Sequence, residues 1–230
     1  MRFFMIALML AAVTGWSQSL DDQLDINITA MKMSKSKIPN SVPVIAGVAP
    51  DTKTEFLRVD VEYEVTIAKG AKIRGSQQDD LWLSECIFAW KVVLCGENER
   101  RDASERKSIR MSKLVTYGNV EIGPGHRAVI FIEPRIYNRF KHRLIDHGKG
   151  IFVEVSASVG GKTRAKGWMR GTKSTVRPSE AKKFFPRTRS KQAWFSSEDV
   201  SESSFGLLSK AETPWRDSSL GAFEYIVDYE

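Results

Sequence analysis

Beyond its first thirteen residues the chain has no apolar run long enough to cross a bilayer, which takes about twenty residues. The longest later candidate, Leu81 to Leu94, is interrupted by Ser84, Glu85 and Lys91. The mature protein is therefore expected to carry no transmembrane anchor. Histidine is equally scarce, with three in 230 residues. His142, Asp146 and His147 form an H-x3-D-H group, but this spacing does not match a structural zinc site with cysteine partners. No metal or cofactor is expected. The G-x-S-x-G, H-E-x-x-H and P-loop patterns are all missing. Gly160-Gly161 beside Lys162 is followed by no helix N-terminus, so it reads as a turn rather than a phosphate cradle. Carboxylates such as Glu62, Glu64, Glu133 and Glu154 could serve a glycosidase, yet alternation on a solvated strand face accounts for them. No catalytic residue is assigned.

There are only two cysteines, Cys86 and Cys95. They flank Ile87 to Leu94, which reads as one strand. Nine residues at about 3.3 Å each separate them by roughly 30 Å, whereas a disulfide needs Cα atoms within about 7 Å. Two buried thiols are the expectation, and a tight bend near Lys91 is the alternative that would bridge them.

What the chain does have begins at its first residue. Arg2, the apolar stretch Phe3 to Val13, and the small residues Gly15 and Ser17 make a signal peptide, with cleavage expected after Ser17. No cysteine follows the apolar stretch, which excludes a lipobox-type anchor. The expected location is the periplasm, the outer-membrane surface or the medium. The alternative is an uncleaved N-terminal anchor.

Downstream, apolar residues recur every second position. Leu24, Ile26, Ile28 and Ala30 are expected on one strand face, and Leu57, Val59, Val61, Tyr63, Val65 and Ile67 on another. Between them, residues 34–54 carry three prolines and read as a long connection. Residues 81–95 are apolar on both faces, as a central strand would be. Ile109–Val120 and Arg127–Glu133 read as strands separated by a Gly123-Pro124-Gly125 turn, and Pro134 ends the pairing. Arg135 to His147 is a helix or an irregular crossover. Residues 151–159 and 162–170 form a hairpin on a type I′ Gly-Gly turn. Seven or more short strands without helical periodicity predict an all-β fold, an immunoglobulin-like antiparallel β-sandwich, with a barrel as the alternative. The expected organisation is a signal peptide at 1–17, the sandwich at 18–175, and a basic, then acidic, partly irregular C-terminal extension at 176–230 that packs in part on the sandwich.

Charge is unevenly distributed. Between Arg135 and Lys191, sixteen Lys and Arg face only Asp146, Glu154 and Glu180. From Gln192 onward eight acids face Lys210 and Arg216, a net −6. The expected binding surface comprises Lys162, Arg164, Lys166 and Arg170 on one strand face, then Lys182, Lys183, Arg187 and Arg189, interleaved with Trp168, Phe184 and Phe185. Such a surface suits an anionic glycan or lipopolysaccharide, another envelope protein, or a second copy of the chain.

The segments FLRVDVEYEVTIA, LWLSECIFAWKVVL, RAVIFIEPRIYNRF and LLSKAETPWRDSSLGAFEYIVDYE resemble a family of small exported pilus-like proteins encoded beside type IV pilus genes in verrucomicrobial gut bacteria. The resemblance implies an immunoglobulin-like sandwich, no enzymatic activity, and a role in a pilus-like surface assembly with other pilus-like or envelope proteins as partners. The chain lacks the prepilin leader and long assembly helix of ordinary type IV pilins, so an accessory component fits better than a major subunit. The expected function is a non-enzymatic structural or adhesive envelope component. The alternatives are a secreted glycan-active hydrolase and a polyanion-binding protein.

Overall fold

The computed structural model describes residues 23–37, 55–71, 82–94, 109–136, 150–181, 201–203, 205–213 and 225–226. The leader, Cys95, the His142/Asp146/His147 group and residues 182–200 lie outside the described residues. Seven long strands carry the fold: β1 (Leu24–Lys37), β2 (Glu55–Ile67), β3 (Trp82–Leu94), β4 (Ile109–Glu121), β5 (Gly123–Ile132), β6 (Ile151–Val159) and β7 (Lys162–Arg170). Short pieces follow: β8 (Lys173–Thr175), helix α1 (Pro178–Ala181), β9 (Ser201–Ser203), β10 (Leu207–Leu208), a 3-10 helix at Lys210–Glu212, and β11 (Tyr225–Ile226). Among the described residues no helix is long and apolar enough to cross a membrane.

The strands form two sheets, ordered β1-β2-β5-β10 and β11-β4-β3-β6-β7-β8, with β9 beside β4. All pairings are antiparallel except that of β9 with β4. The chain passes from one sheet to the other between β2 and β3, again between β4 and β5, and again between β5 and β6. This is the immunoglobulin-like sandwich, with the fourth strand paired to the third. Apolar alternation dictates it, because each sheet has one face that must leave water. Val59, Val61, Tyr63 and Val65 of β2 meet Cys86, Phe88, Trp90 and Val92 of β3 in a single buried core. Its aromatic centre places Phe88 4.9 Å from Tyr63 and 5.5 Å, edge-on, from Tyr117. Burying a side chain of this size is worth about 1.5–3 kcal/mol.

β3 runs without a break from Trp82 to Leu94, and Cys86 is buried within it. The hairpin turn takes φ of 54° at Gly160 and 73° at Gly161, the left-handed pair that a type I′ turn requires. β5 begins at Gly123, so the Gly-Pro-Gly stretch read as a turn is part of the strand. Helical backbone at 134–136 follows β5.

Two expectations for strand faces need correction. β1 continues through Lys37 and has a bulge between Ile28 and Ala30. The extra residue reverses the alternation, so Ala30 is exposed and Met31 is buried instead. Likewise the outer face of β2 is not uniformly wet. Asp60 is buried beside Arg58, whose Nε donates to it at 2.8 Å, and Phe56, Val129 and Phe131 cluster near it.

Past β8 the chain returns to the opposite flank of the sandwich. β9 pairs with residues 109–111 of β4, β10 with 131–132 of β5, and β11 with 117–118 of β4. Between them Glu212 fastens the 3-10 turn to β4, accepting from Lys113 Nζ at 2.6 Å and from the Ser209 N–H and hydroxyl at 2.7 and 2.9 Å. Partial burial alone would raise the Glu212 pKa. The hydrogen bonds from Lys113 and Ser209 and the charge of Lys113 outweigh it, and hold the carboxyl below its ordinary value. The sign follows from linkage. The stabilisation is complete above the unfolded carboxyl's pKa of about 4.3 and is lost as pH falls through the lower folded value. Amide exchange at 209–213 should therefore accelerate on acidification below pH ~4. In Glu212→Gln it should be faster at neutral pH and lose this acid step; an acid step of unchanged size in that variant would assign the effect to another group.

Candidate interaction surface

The hairpin strand β7 lies near the edge of its sheet because β8 pairs only with residues 168–170. Lys162 to Gly167 therefore have no partner strand on that side among the described residues. Lysines and a bulge on such an edge discourage unwanted strand pairing. Both are present: the register with β6 shifts between Ala157 and Ser158, leaving Arg164 as the additional residue.

That bulge divides the predicted basic face. Lys166 lies opposite Ser156 and Arg170 opposite Phe152, on the outer face of the sheet, whereas Lys162 lies opposite the core-facing Val159. Lys162 and Lys166 are exposed, and Arg164 and Arg170 are half-buried. The even-numbered cations thus do not form one continuous row. Period-two reading cannot detect the shift, because a bulge depends on the partner strand rather than on local alternation. Lys182, Lys183, Arg187 and Arg189 are outside the described residues.

The outer face of β6 and β7 also holds apolar and polar groups in close register. Trp168 Nε1 donates to Glu154 Oε2 at 2.7 Å, and the Arg170 guanidinium lies 5.1 Å from the centre of the Phe152 ring. Trp168 and Phe152 are buried although they face away from the core. An indole on this face can be buried because its N–H has a carboxylate to bond.

Across the gap between sheets, β1 packs against β7 and β8. The approach is tight where Met31 covers Gly167: a Cβ at that position would lie 2.5 Å from the Met31 sulfur. Ser174 Oγ donates to the Met31 carbonyl at 3.0 Å. The flank formed by β1, β7 and β8 adds exposed Lys32, Lys37 and Lys173 to the residues expected from sequence. Lys32 and Lys37 are distant in sequence from the basic stretch, so charge counting along the chain overlooked them, whereas Lys173 lies within that stretch.

The carboxylates considered for glycan chemistry each have a partner. Glu62 pairs with Arg127 at 3.2 Å, Glu64 accepts from Asn27 at 3.3 Å, Glu133 lies 3.8 Å from Arg135, and Glu154 accepts from Trp168. Among the described residues no cluster of three metal-ligating side chains occurs.

A protein-family model matches residues 17–218, nearly the whole length. The chain belongs to that family. The match takes in both the sandwich and most of the C-terminal extension, so the family is defined by more than the immunoglobulin-like core. A crystal structure of a protein from Akkermansia muciniphila has the same fold, with a TM-score of 0.62 over 90% of this chain and 95% of that one at 18% identity. The source of that neighbour is verrucomicrobial, in keeping with the family resemblance in the sequence. No curated protein matches the chain.

Proposed function

We propose that the protein is an exported, non-enzymatic component of a pilus-like assembly on the cell envelope, with a structural or adhesive role. The observation that carries this reading against a glycan hydrolase is the engagement of Glu62, Glu64, Glu133 and Glu154 in hydrogen bonds or ion pairs. A retaining or inverting pair needs two carboxyls aimed at one substrate bond. The family match starts at residue 17, where the expected leader ends, which supports export. The pilus-like role is supported by the sequence resemblance.

Fractionation of native cells, pull-down with the mature protein and deletion of its gene test the reading together. The expected result is recovery in the envelope fraction, co-purification of other surface-assembly proteins, and loss of the assembly on deletion. Hydrolysis of a glycoside or peptide panel, abolished by a single carboxylate-to-amide change, would establish the hydrolase instead.

A further inference from the structure

Positive charge is gathered where β1, β7 and β8 meet. These strands carry three, four and one Lys or Arg, eight cations in all, against a single acid, Asp25 at the start of β1. One contact brings them together. Met31 of β1 covers Gly167 of β7, and Ser174 of β8 donates to the Met31 carbonyl at 3.0 Å. Lys32, Lys166 and Lys173 each adjoin one of these residues in the chain, so lysines from three strands surround the contact. With Lys37 they are exposed, and none is paired with an acid among the described residues.

The acids of neighbouring elements do not cancel this charge. Glu55 is paired with Lys35, Asp60 with Arg58 and Glu180 with Arg177, and Glu154 accepts from the Trp168 indole. Glu62 and Glu64 lie opposite Ala30 and Asn27, towards the Asp25 end of β1. Lysines also guard sheet edges. Guarding alone does not call for one sign throughout, and single-sign accumulation adds a self-repulsion that a mixed surface avoids. The excess points to a partner of opposite sign.

We propose that this flank binds a linear anionic glycan, with Lys32, Lys37, Lys166 and Lys173 as its contacts. The inference rests on the adhesive reading of the protein and names what it adheres to. At about 3.3 Å per residue, Lys32 and Lys37 stand roughly 17 Å apart along β1, a span suited to a polymer rather than one small anion. Lysines are compact point charges on flexible stems, not forks that demand one planar acid. Recognition therefore follows the density of negative charge along the polymer more than the identity of its sugars.

Two other polyanions fit less well. Phe152 and Trp168, the rings beside these cations, are buried and cannot stack on the bases of a single-stranded nucleic acid. Among the described residues the exposed large apolar side chains are Trp82, Leu114 and Phe205, none of them on these three strands. The flank thus has no apolar face to bury in a bilayer.

Binding of the mature protein to dextran sulfate and to polygalacturonate, with neutral dextran as control, tests this. Both anionic polymers should bind at about 0.15 M salt, the more densely charged one tighter, and be released at about 1 M, where screening extends only ~3 Å. K32E/K166E/K173E should weaken binding about tenfold or more, because each attraction becomes a repulsion. Its melting temperature should stay near that of the parent, and K32Q/K166Q/K173Q should bind with intermediate strength. K69E/R127E/R135E makes the same change in net charge away from the flank and should bind as the parent does.

Equal retention on neutral dextran, retention that ignores salt, or a loss as large in K69E/R127E/R135E as in the flank variant overturns the proposal. So does binding that is lost only in K182E/K183E/R187E/R189E. Tighter binding to a single-stranded oligonucleotide, or to vesicles of anionic lipid, than to a polysaccharide of matched charge overturns it as well. Failure here is separable from failure of the envelope role. A protein that ignores anionic glycans, but whose deletion still abolishes the surface assembly, keeps the role and loses this site. A protein that binds them through these lysines, yet is absent from the envelope, keeps the site and loses the role.

Discussion

Trp90→Ala is expected to destabilise the protein by about 4 kcal/mol, from the 3–5 kcal/mol typical of emptying a buried aromatic site. Trp90 sits in the central strand β3, 1% exposed, with its ring centre 6.3 Å from that of Phe88. It faces the gap between the sheets, where close-packed neighbours cannot collapse into the space left behind. Against a total stability of ~5–15 kcal/mol, the loss would consume much of what holds the fold. The indole N–H of Trp90 is buried without a hydrogen-bond partner among the described residues. Trp90→Phe should therefore cost much less than alanine, since it keeps most of the ring and removes a donor whose desolvation costs ~1–3 kcal/mol. Urea unfolding of both variants gives the comparison. A loss below about 1 kcal/mol for the alanine variant would show that the indole does not fill the core as described.

A second large effect is expected at Tyr117. Its ring belongs to β4, yet its hydroxyl accepts a 3.0 Å hydrogen bond from the backbone N–H of Val129 on β5, in the other sheet. β10 pairs with β5 only at residues 131–132, so that N–H lies beyond the reach of a strand ladder. Tyr117→Phe keeps the edge-on contact with Phe88 but leaves a buried donor unmatched, at a cost of about 1–3 kcal/mol. Tyr117→Ala adds the cavity and should lose ~3–5 kcal/mol. Amide exchange localises the effect: in the phenylalanine variant Val129 should lose protection more than Ile130 does. Equal changes at both positions would mean that the hydroxyl does not serve as the acceptor.

Much of the sandwich was legible because its strands obey period two over long stretches. β2 and β6 bury every second residue, and the Gly-Gly turn places the last hairpin. The failures occur where a residue's direction depends on something distant in sequence. Thr29 and Arg164 are the additional residues of bulges set by β2 and β6. The burial of Asp60, Phe152 and Trp168 on outward faces has no local signature either. For the interaction surface, the sequence identified the β7 cations. It missed Lys32 because only the packing of β1 against β7 and β8 brings it to that flank.

The manner in which β4 is completed has a consequence for biogenesis. The seven long strands end at Arg170, yet the free side of β4 receives β9 some ninety residues after its own start, and β11 later still. A polypeptide threaded across a membrane N-terminus first would assemble its core while that strand's edge was still bare. Until the final segment emerges, the edge offers unpaired backbone to any passing strand. Premature release or proteolytic trimming of the last thirty residues would thus remove Leu207 from the core and leave an adhesive seam along β4.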